Sequence, residues 1–405
     1  MEKQSNMKIA LSRLGPGFII AATTIGAGSI VSFTNSGANF GFNLLWWLII
    51  LAVSLYAFNF AMKKYTAVTG DTIMDGIAKH YGRGWAIICA LAAFAGQVIY
   101  GIGNFIAVSL GVTMLFPNCP FKVGGLIGLA ACILMYIAKN IYKKVELVTK
   151  ACSIIMVVIF VISVIVTGAT AGTANVVSMN PVGMPGGSFL VMLALMGTTC
   201  NLSTQAWACN LAKQKGYSTD DIKNNGLKLD TISQIVVVIG VSACCLLIGA
   251  MLLPGSPITN GGELVGALAG LLGVWIRPVF GIGFVAAAWS SQIMAPQIGV
   301  DLLFDAVGSD RQNVRLESAV NIIMLVFAAV VACVVGGIPA QLLTVAQVGG
   351  IICTPLLGIF TILLVNKKED MGEYKIKNSY TVLLVVLYIV QVAVIVNNVI
   401  RLITH

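Results

Sequence analysis

The stretch GPGFIIAATTIGAGSIVSFTNSGANFG, residues 15–41, is long enough to cross a membrane but is not apolar throughout. Apolar residues run from Phe18 to Ala22, and a polar patch at 23–29 separates them from a second apolar run. Each of the two glycines in this patch costs about 1 kcal/mol relative to alanine inside a helix. Within a bilayer, any backbone group that is freed there needs a partner in the protein or in a water-filled cavity. The pattern predicts a broken helix with a site for a small solute near the middle of the membrane.

The composition indicates an integral membrane protein. Of the 405 residues, 58% are hydrophobic and only 10% are charged, and the mean hydropathy is +0.95. Apolar runs of about 20 residues, the length that crosses the hydrocarbon core, recur along the chain. The net charge of +9 lies in short loops between these runs, so we attribute it to membrane topology and expect no nucleic-acid partner. The lipid bilayer is the expected partner, and no obligatory protein partner is evident.

Eleven membrane spans are predicted from the apolar runs. They cover residues 15–37, 42–62, 84–115, 122–141, 147–170, 187–211, 231–253, 278–304, 317–335, 341–365 and 379–400. With a cytoplasmic N-terminus, only Lys122, Arg277 and Arg401 of the 24 Lys and Arg residues lie on the outer side. This strong bias agrees with the positive-inside rule. It predicts a multi-pass protein of the plasma membrane with its N-terminus in the cytoplasm and its C-terminus outside.

The sixth predicted span, residues 187–211, is interrupted in the same way as the first. Apolar residues reach Met196, a polar segment follows at 197–205, and apolar residues resume at Ala206. Interrupted segments at corresponding positions of two halves are typical of inverted-repeat transporters, which hold the solute between the broken helices. Alternatively, Gly and Thr in both segments only allow close helix packing.

The repeat hypothesis divides the chain into four parts. These are a cytoplasmic N-terminus at 1–14, a first repeat at 15–170, a second repeat at 171–365, and a loop with an eleventh helix at 366–405. The predicted fold class is an all-α integral membrane protein.

Eight residues of the two interruptions are the candidates for contact with a solute, through polar side chains or through the backbone. They are Gly26, Ala27, Gly28, Ser29, Thr198, Cys200, Asn201 and Ser203. The set contains no carboxylate, whereas divalent cations normally have carboxylate ligands and transition metals also favour imidazole or sulfur. The lining therefore favours a zwitterion, a hydrogen-bonding organic solute or a hydrated ion. Each hydroxyl could instead bond within its own helix.

Polar residues in two other spans are candidates for lining a path. They are Gln97, Tyr100 and Asn104 in the third span, and Ser291, Gln292, Asp301 and Asp305 in the eighth. The three residues of the third span share one helix face, where they either line a path or join helices. Asp301 and Asp305 lie one turn apart near an inner end, as a proton or ion relay or as part of a solvated vestibule.

Nothing in the sequence indicates an enzyme. It has no phosphate-binding glycine loop, no Ser-His-Asp set and no Cys/His metal cluster, and no cofactor is expected. The ten cysteines are interpreted as small buried hydrophobes, because most lie in apolar spans and none forms a CxxC pair. Without an ATP-binding motif, concentrative transport would draw on an ion gradient.

Several motifs between about residues 15 and 367 resemble the Nramp divalent-metal transporters. They are GPGF at 15–18, FGF at 40–42 with LLW at 44–46, VTG at 68–70, KKVE at 143–146 and AQV at 346–348. Their order and spacing are similar to those of the family. The resemblance implies the leucine-transporter fold, with two inverted five-helix repeats, one extra helix, and breaks in helices 1 and 6.

The metal-site motifs of the family are altered here. Its D-P-G-N motif falls on GAGS at 26–29, so Gly26 stands at the position of a metal-binding carboxylate. Its M-P-H motif falls on NLS at 201–203, which removes a thioether and an imidazole. Thr198 corresponds to an alanine that donates a carbonyl, and Gln347 alone keeps the family's ligand. We therefore assign no metal site and add Gln347 to the candidate site.

Three functions are compatible with these observations. The first is a secondary transporter with an altered, carboxylate-free site for a small polar solute other than a dehydrated transition metal. The second is a divalent-cation transporter for hydrated Mg²⁺ or Mn²⁺, as the resemblance implies. The third is a sensor or subunit that keeps the scaffold of a transporter but carries nothing.

Overall fold

The computed structural model describes residues 15–137, 141–170, 176–256, 269, 273–309, 314–335 and 339–404, and the predicted N-terminal segment 1–14 lies outside them. The regular structure of the described part is helical. The α-helices are α1 (Pro16–Thr24), α2 (Ala27–Phe40), α3 (Leu45–Thr69), α4 (Ile73–Tyr81), α5 (Arg83–Leu115), α6 (Phe121–Ile137), α7 (Ile141–Thr170), α8 (Ser188–Thr199), α9 (Leu202–Gln214), α10 (Thr219–Lys223), α11 (Gly226–Leu252), α12 (Ile276–Val307), α13 (Val314–Val334), α14 (Pro339–Val348), α15 (Thr354–Val365), α16 (Lys368–Met371) and α17 (Asn378–Thr404). Short 3₁₀ turns follow α14 at Gly349–Ile351 and α16 at Gly372–Tyr374.

The described helices confirm a multi-span membrane protein. Eight helical segments are long and apolar enough to cross a membrane, and α1 with α2 makes a ninth. The predicted spans at 122–141 and 147–170 correspond to α6 and α7, which contain the shorter apolar helices Phe121–Ile137 and Val157–Ala169.

The first span is broken where the sequence predicts it. α1 ends at Thr24, α2 begins at Ala27, and the two halves are bent by 59°. Between them, Gly26 adopts an extended backbone with φ −87° and ψ 169°. Pro16 at the start of α1 costs nothing there, because the first helical N–H has no partner within the helix. The break packs among α5, α8, α12 and α14.

The sixth predicted span is interrupted at Cys200 and Asn201, between α8 and α9. The Asn201 Oδ1 atom accepts a hydrogen bond from the Ser203 backbone N at 3.0 Å and so caps α9. Unlike α1 and α2, these two halves are not bent by more than 40° and continue as one 27-residue span.

The second half of the first span, α2, is in backbone contact with α11. A Cβ atom added at Gly37 would lie 1.9 Å from the Leu246 carbonyl oxygen. Likewise, a Cβ atom at Gly249 would lie 1.9 Å from the Thr34 carbonyl oxygen. Small residues allow such close approach between helices in a membrane, so α2 and α11 form one rigid pair.

The first half of the first span, α1, is held by a buried ion pair. Lys63 Nζ of α3 lies 2.8 Å from Asp230 Oδ2 of α11, and both side chains are 0% exposed. The other carboxylate oxygen of Asp230 accepts the backbone N–H groups of Gly17 at 2.8 Å and Gly15 at 3.3 Å. A negative charge at the start of α1 is stabilised by the helix dipole. The pair therefore joins α1 to both α3 and α11.

Gly249→Ala and Gly240→Ala form a matched test of the glycine contact on one helix. We expect Gly249→Ala to lower the free energy of unfolding by about 1–3 kcal/mol, since the added methyl forces two backbones apart. Nothing lies within 4 Å of a Cβ added at Gly240, so Gly240→Ala should be neutral or stabilise by up to about 1 kcal/mol. Thermal unfolding of the purified protein in detergent measures both, and equal effects would contradict the backbone contact.

Lys63→Met tests the buried ion pair, with its half-buried neighbour Lys64→Met as the control. Removing the partner of a buried charge is expected to cost about 3–5 kcal/mol, whereas Lys64→Met should change stability by less than about 0.5 kcal/mol. The same thermal unfolding assay compares them. If both variants unfold at the same temperature as the parent protein, the ion pair of Lys63 with Asp230 does not contribute to stability.

Candidate functional site

Hydroxyl groups from three helices cover the carbonyl end of α1. Ser291 of α12 donates from Oγ to the Thr23 carbonyl oxygen at 3.1 Å. Ser29 of α2 donates from Oγ to the Thr24 carbonyl oxygen at 3.1 Å. Thr198 of α8 is hydrogen-bonded to Ser29, and its Oγ1 atom donates to the Thr24 oxygen at 3.5 Å. Donors within the protein therefore already compensate the partial negative charge of this helix end.

The amino end of α2 lacks such a cover. In the described part of the chain, no side chain caps the helix start at Gly26. The first N–H groups of a helix have no partner within it and carry a partial positive charge. The backbone N–H groups of Ala27 and Gly28, two of the predicted site residues, thus lie at this positive end of α2.

Hydroxyl and amide oxygens surround the space next to Gly26. A Cβ atom added there would lie 3.0 Å from Tyr100 Oη, 3.1 Å from Ser291 Oγ and 3.3 Å from Asn104 Oδ1. A longer side chain would have to displace these groups, because protein interiors are close-packed. The structure thus brings three predicted path residues to the first break.

Three buried polar atoms near the first break have no hydrogen-bond partner among the described residues. They are Asn104 Oδ1 and Nδ2, and Gln347 Oε1. Both side chains are 0% exposed. A buried donor or acceptor left without a partner costs about 1–3 kcal/mol. A bound solute or water that supplied partners would recover this cost, so these atoms mark the candidate site.

Gln347 belongs to this site because Gly28 has no side chain. A Cβ atom added at Gly28 would lie 1.9 Å from Gln347 Nε2. That nitrogen donates to the Leu343 carbonyl oxygen at 3.2 Å within α14. The glycine therefore lets α14 approach α2 closely.

The polar residues of the second break bind one another. Asn201 Oδ1 accepts from Ser203 Oγ at 2.6 Å, and Ser203 Oγ accepts from Gln97 Nε2 at 2.7 Å. This series of hydrogen bonds joins α5 to the start of α9. Gln97 Oε1 has no partner among the described residues, so it is the member of this group that is open to a further donor.

Two predicted residues lie against other helices. Cys200 donates from Sγ to the Leu51 carbonyl oxygen of α3 at 3.5 Å. Gln292 Oε1 lies 3.3 Å from the position of a Cβ atom added at Gly128 of α6. Both side chains contact these neighbouring helices, so neither lies in the group of residues around Gly26.

The two acids of α12 lie in different surroundings. Asp301 is 3% exposed and accepts hydrogen bonds from Trp207 Nε1 at 2.6 Å and from Gln297 Nε2 at 2.7 Å. Asp305 lines an open pocket of about 410 Å³. The other residues of that pocket are Asp71, Asp75, Ala78, Lys79, Arg83, Lys213 and Gly308. Asp305 thus fits the predicted vestibule, whereas Asp301 belongs to a buried hydrogen-bond network.

Sequence reasoning missed the Lys63–Asp230 pair that holds α1. One signal was available, since Lys63 directly follows one predicted span and Asp230 directly precedes another. A buried charge needs a partner, so two such charges could have been paired.

Groups of three or more His, Cys, Asp or Glu side chains that could hold a metal ion are absent from the residues described here. The atoms around the first break are hydroxyl, amide and backbone N–H groups. They can bind the polar groups of an organic solute, or the water shell of an ion.

Residues 17–401 match the family model described as "Natural resistance-associated macrophage protein-like", Nramp. A protein of Mycobacterium tuberculosis named divalent metal cation transporter MntH is 25% identical over 315 residues, which is 75% of this chain and 72% of that protein. A Staphylococcus aureus protein of the same name is 22% identical over 317 residues, covering 73% of this chain and 70% of its own length.

Solved structures show the same fold at low sequence identity. The Eremococcus coleocola manganese transporter aligns with a TM-score of 0.78 at 15% identity, over 96% of this chain and 86% of its own. MhsT in complex with L-phenylalanine aligns with a TM-score of 0.62 at 16% identity, over 94% of this chain and 97% of its own. The likeness confirms the predicted leucine-transporter-like fold.

Asn104→Leu and Asn201→Leu distinguish a solute-binding role from a structural one. We expect Asn104→Leu to raise the stability of the solute-free protein by about 1–3 kcal/mol, because it removes two buried atoms that lack partners. Asn201→Leu should lower stability by about 0.5–2 kcal/mol, because it removes the cap of α9. Thermal unfolding in detergent measures both. Destabilisation by Asn104→Leu would mean that its amide bonds are satisfied without a solute.

Proposed function

The chain belongs to the Nramp family, and on this premise we propose that it is a secondary membrane transporter that carries a small polar organic solute through a carboxylate-free site. We infer further that the solute has a carboxylate or another strong hydrogen-bond acceptor, as an amino-acid zwitterion does. The polarity of the two half-helix ends at the first break carries this inference.

The two ends offer opposite charges, and only one of them is open. The carbonyls of Thr23 and Thr24 already accept hydroxyl donors, so they are poorly placed to coordinate a cation. Among the described side chains, none caps the start of α2. The amino end of a helix binds anionic groups through its free N–H groups and its dipole. This arrangement supports a solute that presents an acceptor to α2.

The surroundings of Gly26 support the same conclusion. The resemblance places Gly26 where the family has a metal-binding carboxylate, and Tyr100, Ser291 and Asn104 crowd the adjoining space. A dehydrated divalent cation prefers several oxygen ligands that include carboxylates. Without them, the cation would lose its hydration with little in return.

The atoms without partners would supply the remaining hydrogen bonds. Asn104 Nδ2 can donate, and Asn104 Oδ1 and Gln347 Oε1 can accept. Acceptors of this kind suit the ammonium group of a zwitterion. Of the predicted site, we therefore keep the residues at 26–29, Thr198 and Gln347 in contact with the solute, and we assign Asn201 and Ser203 to support of α9.

Transport would proceed by alternating access, with helices 1 and 6 rocking against the rest of the protein. Gly26 provides the hinge between α1 and α2. We retain residues 15–170 and 171–365 as the inverted repeats, a plasma-membrane location, a cytoplasmic N-terminus and an outer C-terminus as parts of this proposal. An ion gradient supplies the energy.

A hydrated divalent cation, Mg²⁺ or Mn²⁺, is the second candidate solute. The M. tuberculosis and S. aureus relatives are named divalent metal cation transporters, which favours it. Mg²⁺ gives up its water reluctantly, and the acceptor oxygens of Asn104 and Gln347 could hold a water shell instead of the ion itself.

Uptake into proteoliposomes tests the two candidates in parallel. The probes are a radiolabelled amino-acid mixture, Mn²⁺ and Mg²⁺, each with and without a proton gradient. We expect saturable uptake of at least one amino acid and its loss in Gly26→Trp, since the indole would fill the site. Gly240→Trp is the matched control, because nothing lies within 4 Å of a Cβ added at Gly240.

Each outcome identifies one of the functions. Saturable metal uptake without amino-acid uptake, lost in Gly26→Trp, would overturn the organic-solute proposal in favour of a hydrated ion. Absence of flux for all the probes would favour a sensor or subunit. Equal uptake by both tryptophan variants would place the solute elsewhere.

A further inference from the structure

Three half-buried residues of α3 share one helix face. Tyr56, Phe60 and Lys64 follow one another at intervals of four residues, which places them along one side of the helix. The rings of Tyr56 and Phe60 are stacked, with their centroids 5.5 Å apart. Lys64 follows the predicted span at 42–62, so the face leads from the apolar part of the membrane to its predicted inner surface.

Two other helices flank this face. On one side, α11 packs against α3 through the ion pair of Asp230 with Lys63. On the other side, Tyr380 of α17 donates from Oη to the Ala57 carbonyl oxygen at 3.0 Å. The centroid of the Tyr380 ring lies 6.2 Å from that of the Phe60 ring. The three residues thus form the floor of a groove that has α11 and α17 as its walls.

Both walls carry exposed apolar side chains. Ile232 and Val236 on α11 are 37% and 66% exposed, and Val386 on α17 is 51% exposed. Exposed apolar surface on membrane-spanning helices is where acyl chains pack. An occupant that covers this groove therefore has a long apolar part.

Lysines surround the predicted inner end of the groove. Asp230 points toward the start of α1, and two residues turn a helix by about 200°, so Lys228 lies on the side of α11 away from α1. Lys377 directly precedes α17, and Lys223 ends α10, which packs against α3. In the described part of the chain, Lys64, Lys228 and Lys377 make no ion pair.

Acidic groups at this end are fewer than the lysines. Lys223 is hydrogen-bonded to Tyr374 in the turn before α17, with Asp220 and Glu373 nearby. The bond connects α10 to that turn and closes the inner end of the groove. Two exposed acids neutralise at most half of the four lysines, so this end keeps a positive charge.

We propose that the groove binds one anionic phospholipid, with its phosphate at Lys64 and Lys228 and an acyl chain along Tyr56 and Phe60. Basic side chains beside a bilayer attract anionic headgroups, and the apolar walls continue from the lysines into the membrane. A free phosphate ion would leave these walls uncovered, and a zwitterionic lipid would leave the excess positive charge unbalanced. The proposal does not rest on the transport function.

The position of Lys64 gives the lipid a structural effect. It adjoins Lys63, which is paired with Asp230 of α11. A phosphate between Lys64 and Lys228 joins α3 to α11, and its acyl chain contacts α17. Because the unfolded chain lacks this groove, bound lipid stabilises the folded protein by mass action.

Native mass spectrometry of the purified full-length protein in detergent tests the proposal. The probes are phosphatidylglycerol and phosphatidylcholine with the same acyl chains, added at equal concentration. We expect one phosphatidylglycerol to be retained at least about fivefold more strongly than phosphatidylcholine. Lys64→Gln and Lys228→Gln should each weaken its retention about fivefold, and the double variant about 25-fold, since each removes one charge beside the headgroup.

Lys122→Gln is the matched control, because Lys122 is an exposed lysine of α6 at the opposite predicted membrane surface. It loses the same charge and should retain phosphatidylglycerol as the parent protein does. Thermal unfolding without lipid verifies that all variants fold. With phosphatidylglycerol, the unfolding temperature should rise in the parent protein and in Lys122→Gln, but less in Lys64→Gln and Lys228→Gln.

Three results would overturn the inference. The first is equal retention of the two lipids by the parent protein, and the second is equal loss of phosphatidylglycerol in Lys64→Gln and Lys122→Gln. The third is displacement of the lipid by inorganic phosphate, which would identify a free anion as the occupant. Neither measurement involves transport, so failure of the proposed function would leave this result unaffected.

Discussion

Every backbone hydrogen-bonding group within the bilayer needs a partner from the protein, and the first broken helix depends on this constraint. The break frees carbonyls at Thr23 and Thr24, and Ser291, Ser29 and Thr198 donate to them from three helices. The same hydroxyls that make the break tolerable also fix how α2, α8 and α12 meet. What the protein leaves without a partner, on the opposite side of the break, is then the part that a solute can use.

The fold of this protein is kept at low sequence identity. The fold matches a manganese transporter closely although only 15% of the aligned residues are identical. Two contacts of this protein join the helices of the first span to their neighbours: the contact of Gly37 with α11 and the Lys63–Asp230 pair. Neither contact involves the groups around Gly26. The proposed change of solute at Gly26 would therefore leave both contacts in place.

Local patterns in the sequence predicted the break at Gly26 and the shared face of Tyr100 and Asn104, because both depend on residues within a few helical turns. The second break was predicted at the right place, but its small bend was not. The surroundings of Cys200 and Gln292 could not be predicted, since they depend on which helix packs beside each side chain. Pairing across 167 residues, as between the two charges that hold α1, likewise needs the tertiary structure.

The contact of α2 with α11 makes the two halves of the first broken helix mechanically unequal. With its backbone pressed against Leu246 and Gly249, α2 cannot move toward α11 unless α11 moves with it. The start of α1 is held by one carboxylate, that of Asp230. In the proposed alternating-access cycle, displacement of α2 would thus be a collective tilt with α11, whereas displacement of the start of α1 would depend on the release of a single side chain. The two movements would then differ in activation enthalpy, so cooling would slow one of them more than the other.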